Sequence, residues 1–230
     1  MYVMCGQCPH ITIPGSAEDN LNTVWEKIQE FYAMNPGVHA GRYGHLQLSM
    51  ICNETEPMKR FPKLKGKAAE VKHLVPALLH AWAFFMDDSS DRHNMILLGL
   101  QMSSRIDEIL EASKGEFALK GDTLVQYQMA IFIFLNAQNA LGTWYPDEGL
   151  KLFDITYKSH ALGHSALQAE WINPVLSWCF KGEDFMQKVR KISTNCSKGT
   201  ALHKVGQAVL EKWCTGMWFN LLPASKWWSG

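Results

Sequence analysis

Between Lys65 and Ile109 the apolar residues recur at intervals of three and four, and that rhythm constrains the fold more than anything else in the chain. Ala69, Leu74, Leu78, Trp82 and Phe85 can share one helix face; Met95, Leu98, Met102, Ile106 and Ile109 can share another. A helix turns every ~3.6 residues, so each segment presents an apolar stripe that has to be covered by a neighbour. Pro76 lacks an amide hydrogen and crowds the turn before it, which predicts a kink or a restart. Ser89 or Ser90 can cap the second helix, and Lys114-Gly115 marks its end.

The same pattern extends in both directions. Ser16 can cap a helix carrying Leu21, Val24, Trp25, Ile28, Phe31 and Tyr32, which Asn35-Pro36-Gly37 stops. Residues 38–62 read as loop, with a short strand expected at 45–51. Asp122 opens a helix through Val125, Met129, Phe132 and Ile133 to about Leu141, and "TWYPDEG" reads as a connector. Further helices are expected over about 154–171, ahead of Asn173-Pro174, and from near Gly182 and Gly199. The expected product is mainly α, an irregular bundle of six or seven helices. Residues 1–60 would be a loop-rich appendage, 61–215 the helical domain and 216–230 an aromatic tail.

Apolar residues make up 47% of the 230 and charged residues only 19%, enough to build a core and too apolar for a disordered chain. No apolar run has the length to span a bilayer, and "MYVMCGQCPH" lacks the pattern of a secretory signal. Six scattered cysteines without the density of a disulfide scaffold point to reduced thiols and an intracellular protein. The net charge is zero but unevenly spread. Residues 58–72 carry six cations against Glu70, a local +5, and residues 181–204 carry six against Glu183 and Asp184, a local +4. Such stretches either face solvent or meet phosphate; the residues alone lean towards solvent.

His160 and His164 stand at the i, i+4 spacing of a zinc-binding helix, with Ala161 where a metalloprotease would carry its glutamate. A pair does not close a metal site, so the residues alone favour structural histidines. A zinc hydrolase is the weaker alternative and needs a third ligand. Cys5-x-x-Cys8 is half a zinc knuckle with no second half at the usual spacing. Neither a phosphate-binding glycine loop nor a Gly-x-Ser-x-Gly elbow occurs. Glu183 and Asp184 lie where a helix begins, and the residues alone favour a simple complement to its dipole.

Four stretches carry a resemblance: "FPKLKGKAAEVKHLVPALLHAW", "ILLGLQMSSRIDEIL", "GLKLFDITYKSHALGHSALQAEWINPVLSWCFKGEDFMQKVRK" and "CSKGT". Over roughly Phe61 to Thr200 the chain resembles a multicopy family of dinoflagellate open reading frames that has no assigned activity. More distantly it is similar to the carboxy-terminal half of cut-and-paste DNA transposases of the CACTA and Plavaka type. There a lysine-alanine-x-glutamate segment opens a helical insertion, as "KGKAAEVKHLVPALL" does here. A histidine-x-x-x-histidine-like element then leads to an aromatic stretch and a glutamate, the places of His160, His164, Trp178 and Glu183.

That resemblance implies that Glu183 matches the last acid of a three-carboxylate centre holding two divalent metals for attack on phosphate. Lys188, Arg190 and Lys191, with Lys59, Arg60, Lys63, Lys65 and Lys67, would face DNA. The family's first two acids belong to a ribonuclease-H-like sheet upstream of the insertion; here that region holds one clear helix and no strand ending in aspartate. The expectation is therefore a catalytically incomplete, transposase-derived helical protein, nuclear, with residual DNA affinity. No cofactor is expected, zinc included, and Mg²⁺ only if carboxylate partners for Glu183 are supplied. The alternative is a helical module that binds a protein partner through an aromatic surface at Trp213, Trp218, Trp227 and Trp228.

Overall fold

The computed structural model describes residues 16–36, 41–52, 61–145, 151–177, 180–199 and 201–221; for 180–188, 202 and 217–221 it describes the helical backbone alone. The described residues form seven α-helices and no strand: α1 (Ala17–Met34), α2 (Ala68–Phe85), α3 (Asp91–Ala112), α4 (Gly121–Trp144), α5 (Tyr157–Gln168), α6 (Phe180–Ser197) and α7 (Leu202–Leu221). Short 3-10 turns occupy Leu48–Met50 and Pro174–Ser177. The mainly α class is as expected. The chain divides into two units, Met1–Ser177 and Trp178–Gly230.

Helix starts follow from capping. The Ser16 hydroxyl accepts from the Asp19 amide at 3.3 Å, while the Asp19 carboxylate accepts from the Ser16 amide at 2.8 Å, a reciprocal box that satisfies two donors otherwise left open. The Ser16 hydroxyl, which also donates to the Asp19 carboxylate at 2.8 Å, and then the Ser16 amide hold the Asp19 carboxyl below its ordinary pKa. Ser90, rather than Ser89, caps α3 by accepting from the His93 amide, and Thr156 caps α5. That start makes α5 three residues shorter at its beginning than the sequence pattern predicts. Helix α4 in turn takes in Thr143 and Trp144 of the predicted connector.

One expectation narrows and another fails. Helix α2 runs through Pro76 as one element, with no restart, because Leu74, Ala77 and Ala81 on either side of it stay buried on a single face. The strand expected at 45–51 does not form. Side chains do alternate there, since Leu46 and Leu48 are buried and Gln47 exposed. But alternation needs a neighbouring strand to become a sheet. Among the described residues the backbone partners from elsewhere in the chain are Lys63 and Lys65, whose amides reach the carbonyls of Ile51 and Met50. The segment therefore turns through Leu48–Met50 and serves as a wall.

In the first unit α1, α2 and that wall enclose one core, with Trp25, Ile28, Tyr43, Leu46, Trp82 and Phe85 among its members. This core crosses the boundary expected at residue 60, so the described part of the amino-terminal region is built into the fold rather than appended to it. Gly66 allows it to close: a Cβ there would lie 1.9 Å from the Tyr43 hydroxyl. Helix α3 packs along α4, and α5 lies on α4 through bonds from Gln128 to the Ala166 carbonyl and between Tyr127 and Ser165. Burial pushes the Tyr127 phenol above its ordinary pKa. In the second unit α6 and α7 pack on each other as a helical hairpin, and α7 continues past Gly216 into the stretch expected to be an irregular tail.

Candidate nucleic-acid interface

On α6 the residues with described side chains separate into two sides. Val189, Ile192 and buried Cys196 recur at the spacing of one face, and Val189 and Ile192 meet Val209, Leu210 and Trp213 of α7 around an apolar recess. Arg190, Lys191, Thr194 and Asn195 are exposed and border a second, open recess of about 490 Å³. Thr194 donates its hydroxyl to the Arg190 carbonyl one turn back at 2.9 Å, leaving its oxygen free to accept. A guanidinium, an ammonium and an amide on consecutive turns form a donor set suited to phosphate oxygens.

The charge of the whole unit points the same way. Its 53 residues, Trp178–Gly230, hold eight lysines and arginines against three acids, a net +5. Residues 1–177 hold fourteen against nineteen, a net −5. The neutral chain is thus two oppositely charged parts.

The first basic stretch is arranged differently. Lys63 and Lys67 are exposed. Lys65 donates to the Ser49 carbonyl at 2.8 Å. Lys72 lies 3.6 Å from Glu111 and 3.9 Å from Asp107, both on α3. Burial raises the Asp107 pKa against the pull of Lys72 and His73, and the Lys114 hydrogen bond, ahead of its charge and that of Lys72, lowers that of Glu111. Two of its six cations, Lys65 and Lys72, are thus tied into the fold. Lys59 and Arg60 lie outside the described residues, as do the side chains of Glu183 and Lys188, both carried on α6.

His160 and His164 are exposed on α5, and their Nε2 atoms stand 2.9 Å apart in a mutual hydrogen bond. Neither is buried in a core, contrary to the structural reading of the sequence. Among the described residues no third histidine, cysteine or carboxylate joins them as a metal-binding group.

Two apolar features gave no local sign of being exposed. Val125, Met129 and Phe132 form an exposed apolar stripe on α4, and Trp171, Ile172 and Leu176 are exposed near the end of the first unit. Of the tryptophans expected to form an aromatic surface, Trp213 is half-buried at the α6–α7 recess; the side chains of Trp218, Trp227 and Trp228 fall outside the described residues. The first unit also holds an apolar cavity of about 310 Å³ between α1, α2 and α3, walled by residues such as Val24, Leu78, Trp82, Phe85 and Leu100.

No protein-family model, curated protein or solved structure matches the chain. No helix among the described residues is long and apolar enough to cross a membrane.

Proposed function

We propose that the α6–α7 hairpin grips the phosphate backbone of DNA, and that the chain is a transposase-derived helical protein without a complete carboxylate centre of its own. The observation that carries this reading is the concentration of +5 in the second unit, with Arg190 and Lys191 exposed beside an open recess. Contacts of this kind position a protein on a duplex without reading its sequence. A nuclear location follows from that role. Glu183 would contribute one carboxylate to a Mg²⁺ centre only where a partner supplies the others.

The test is binding of the full chain to random-sequence duplex DNA over a salt series. Affinity should fall linearly on logarithmic axes, with a slope of about −0.9 for each phosphate neutralised. No binding at low salt overturns the proposal. That outcome would favour the second reading, a protein-interaction module, for which the exposed stripe of Val125, Met129 and Phe132 on α4 is the specific support.

A further inference from the structure

We infer that His160 and His164 form a two-imidazole chelate for a divalent late transition metal, with Cu²⁺ the best-matched ion. The site is independent of the hairpin proposed to bind DNA, since both histidines belong to the first unit.

The argument starts from helix geometry. Residues four apart lie one above the other, and both histidines sit inside the twelve-residue α5, whose start is fixed by the Thr156 cap. The backbone therefore holds the two imidazoles as neighbours, and both are exposed to solvent. Their Nε2 atoms are 2.9 Å apart, with the rings close to perpendicular at 85°. A hydrogen bond between two imidazole nitrogens needs one N–H and one lone pair, so the two rings are in different tautomers.

Affinity, rather than spacing, selects among metals, because the 2.9 Å between the nitrogens is a hydrogen bond that gives way when the rings turn. Imidazole suits Zn²⁺, Ni²⁺ and Cu²⁺, and Cu²⁺ is the tightest of these in the usual affinity order. Binding requires both rings to turn their Nε2 lone pairs from each other towards one point. The ring that donates must give up its Nε2 proton, to its own Nδ1 where that nitrogen is free, so that both Nε2 lone pairs face the metal. Among the described residues no third protein group joins the pair, so the pair by itself leaves coordination positions open. The result is an exchangeable site open to a further donor.

The probe is Cu²⁺ held by nitrilotriacetate, which keeps the ion from the six cysteines while leaving positions open for imidazole. Titration of the full chain, followed by electron paramagnetic resonance, should show two imidazole nitrogens. His160→Gln and His164→Gln should each weaken binding about a hundredfold, because the second contact of a chelate is made at high effective concentration. His203→Gln should leave it unchanged. Circular dichroism of each variant confirms that α5 persists, which exposed glutamine permits. A single-histidine variant that binds as tightly as the parent overturns the inference, as does a spectrum with one nitrogen.

Discussion

The two basic stretches look alike in the sequence and are used in opposite ways. In the first, Lys72 reaches across to Asp107 and Glu111 on α3, and Lys65 bonds the Ser49 carbonyl. In the second, Arg190 and Lys191 stand exposed around an open recess, on a helix whose other side packs against α7. A run of cations becomes a candidate binding surface only where packing leaves it exposed, and among the described residues no ion pair is shown for Arg190 or Lys191. Local net charge, +5 against +4, does not show this difference in packing.

The sharpest way to probe that contrast is to damage the scaffold without touching either stretch. Asn173 is fully buried; its amide donates to the carbonyls of Ser113 and Glu116, its oxygen accepts from the Val175 amide, and its own backbone donates to Phe117. Asn173→Ala leaves several of these groups buried without partners, and should cost about 3 kcal/mol of stability. Denaturant unfolding measures it. Where the variant is still folded, the salt slope of DNA binding should match the parent's.

Charge reversal then separates the stretches directly. Lys72→Glu places a third carboxylate beside Asp107 and Glu111, and should destabilise by on the order of 2 kcal/mol while leaving the salt slope alone. The reverse outcome, intact stability with weakened DNA binding, would break the comparison. Arg190→Glu with Lys191→Glu is the mirror experiment. Losing two phosphate contacts should lower the slope by about 2, roughly a tenfold difference between low and physiological salt, with the unfolding midpoint unmoved.

How much of this was legible beforehand divides along the range of the interactions. Helix faces and caps are local, so Ser16, Ser90 and the stripe through Leu74, Trp82 and Phe85 could be read from spacing. The bonds of Asn173 span 57 and 60 residues, so the sequence showed only the stop signal of Asn173-Pro174. The strand expected at 45–51 does not form because pairing depends on a neighbouring strand that local sequence does not show. His160 and His164 were found by their spacing, but exposure depends on how α5 lies on α4, through contacts such as Gln128 to Ala166 and Tyr127 to Ser165. The α4 stripe of Val125, Met129 and Phe132 escaped for the same reason: an apolar face reads as core until a structure shows it uncovered.

The smallest expected effect tests whether the first stretch is tied to the fold through a buried carboxylate. Asp107 faces Lys72, His73 and the like charge of Glu111, and burial raises its pKa in the folded state above the ordinary 3.8. A carboxyl that holds its proton more tightly when folded stabilises the fold as pH falls, and that contribution is lost as pH rises through the folded pKa. At neutral pH the parent therefore carries the cost of an ionised, partly buried Asp107. Asp107→Asn removes that cost and the weaker of two partners of Lys72, which keeps Glu111 at 3.6 Å. The variant should be as stable as the parent at neutral pH or slightly more so, by less than about 1 kcal/mol. Any advantage should shrink as pH is lowered through the folded-state pKa of Asp107, which lies above 3.8. Urea melts of both proteins at a series of pH values check the sign. An Asp107→Asn variant that is much weaker at neutral pH would mean that the ion pair with Lys72 outweighs burial, and that the first stretch is held more by charge than by packing.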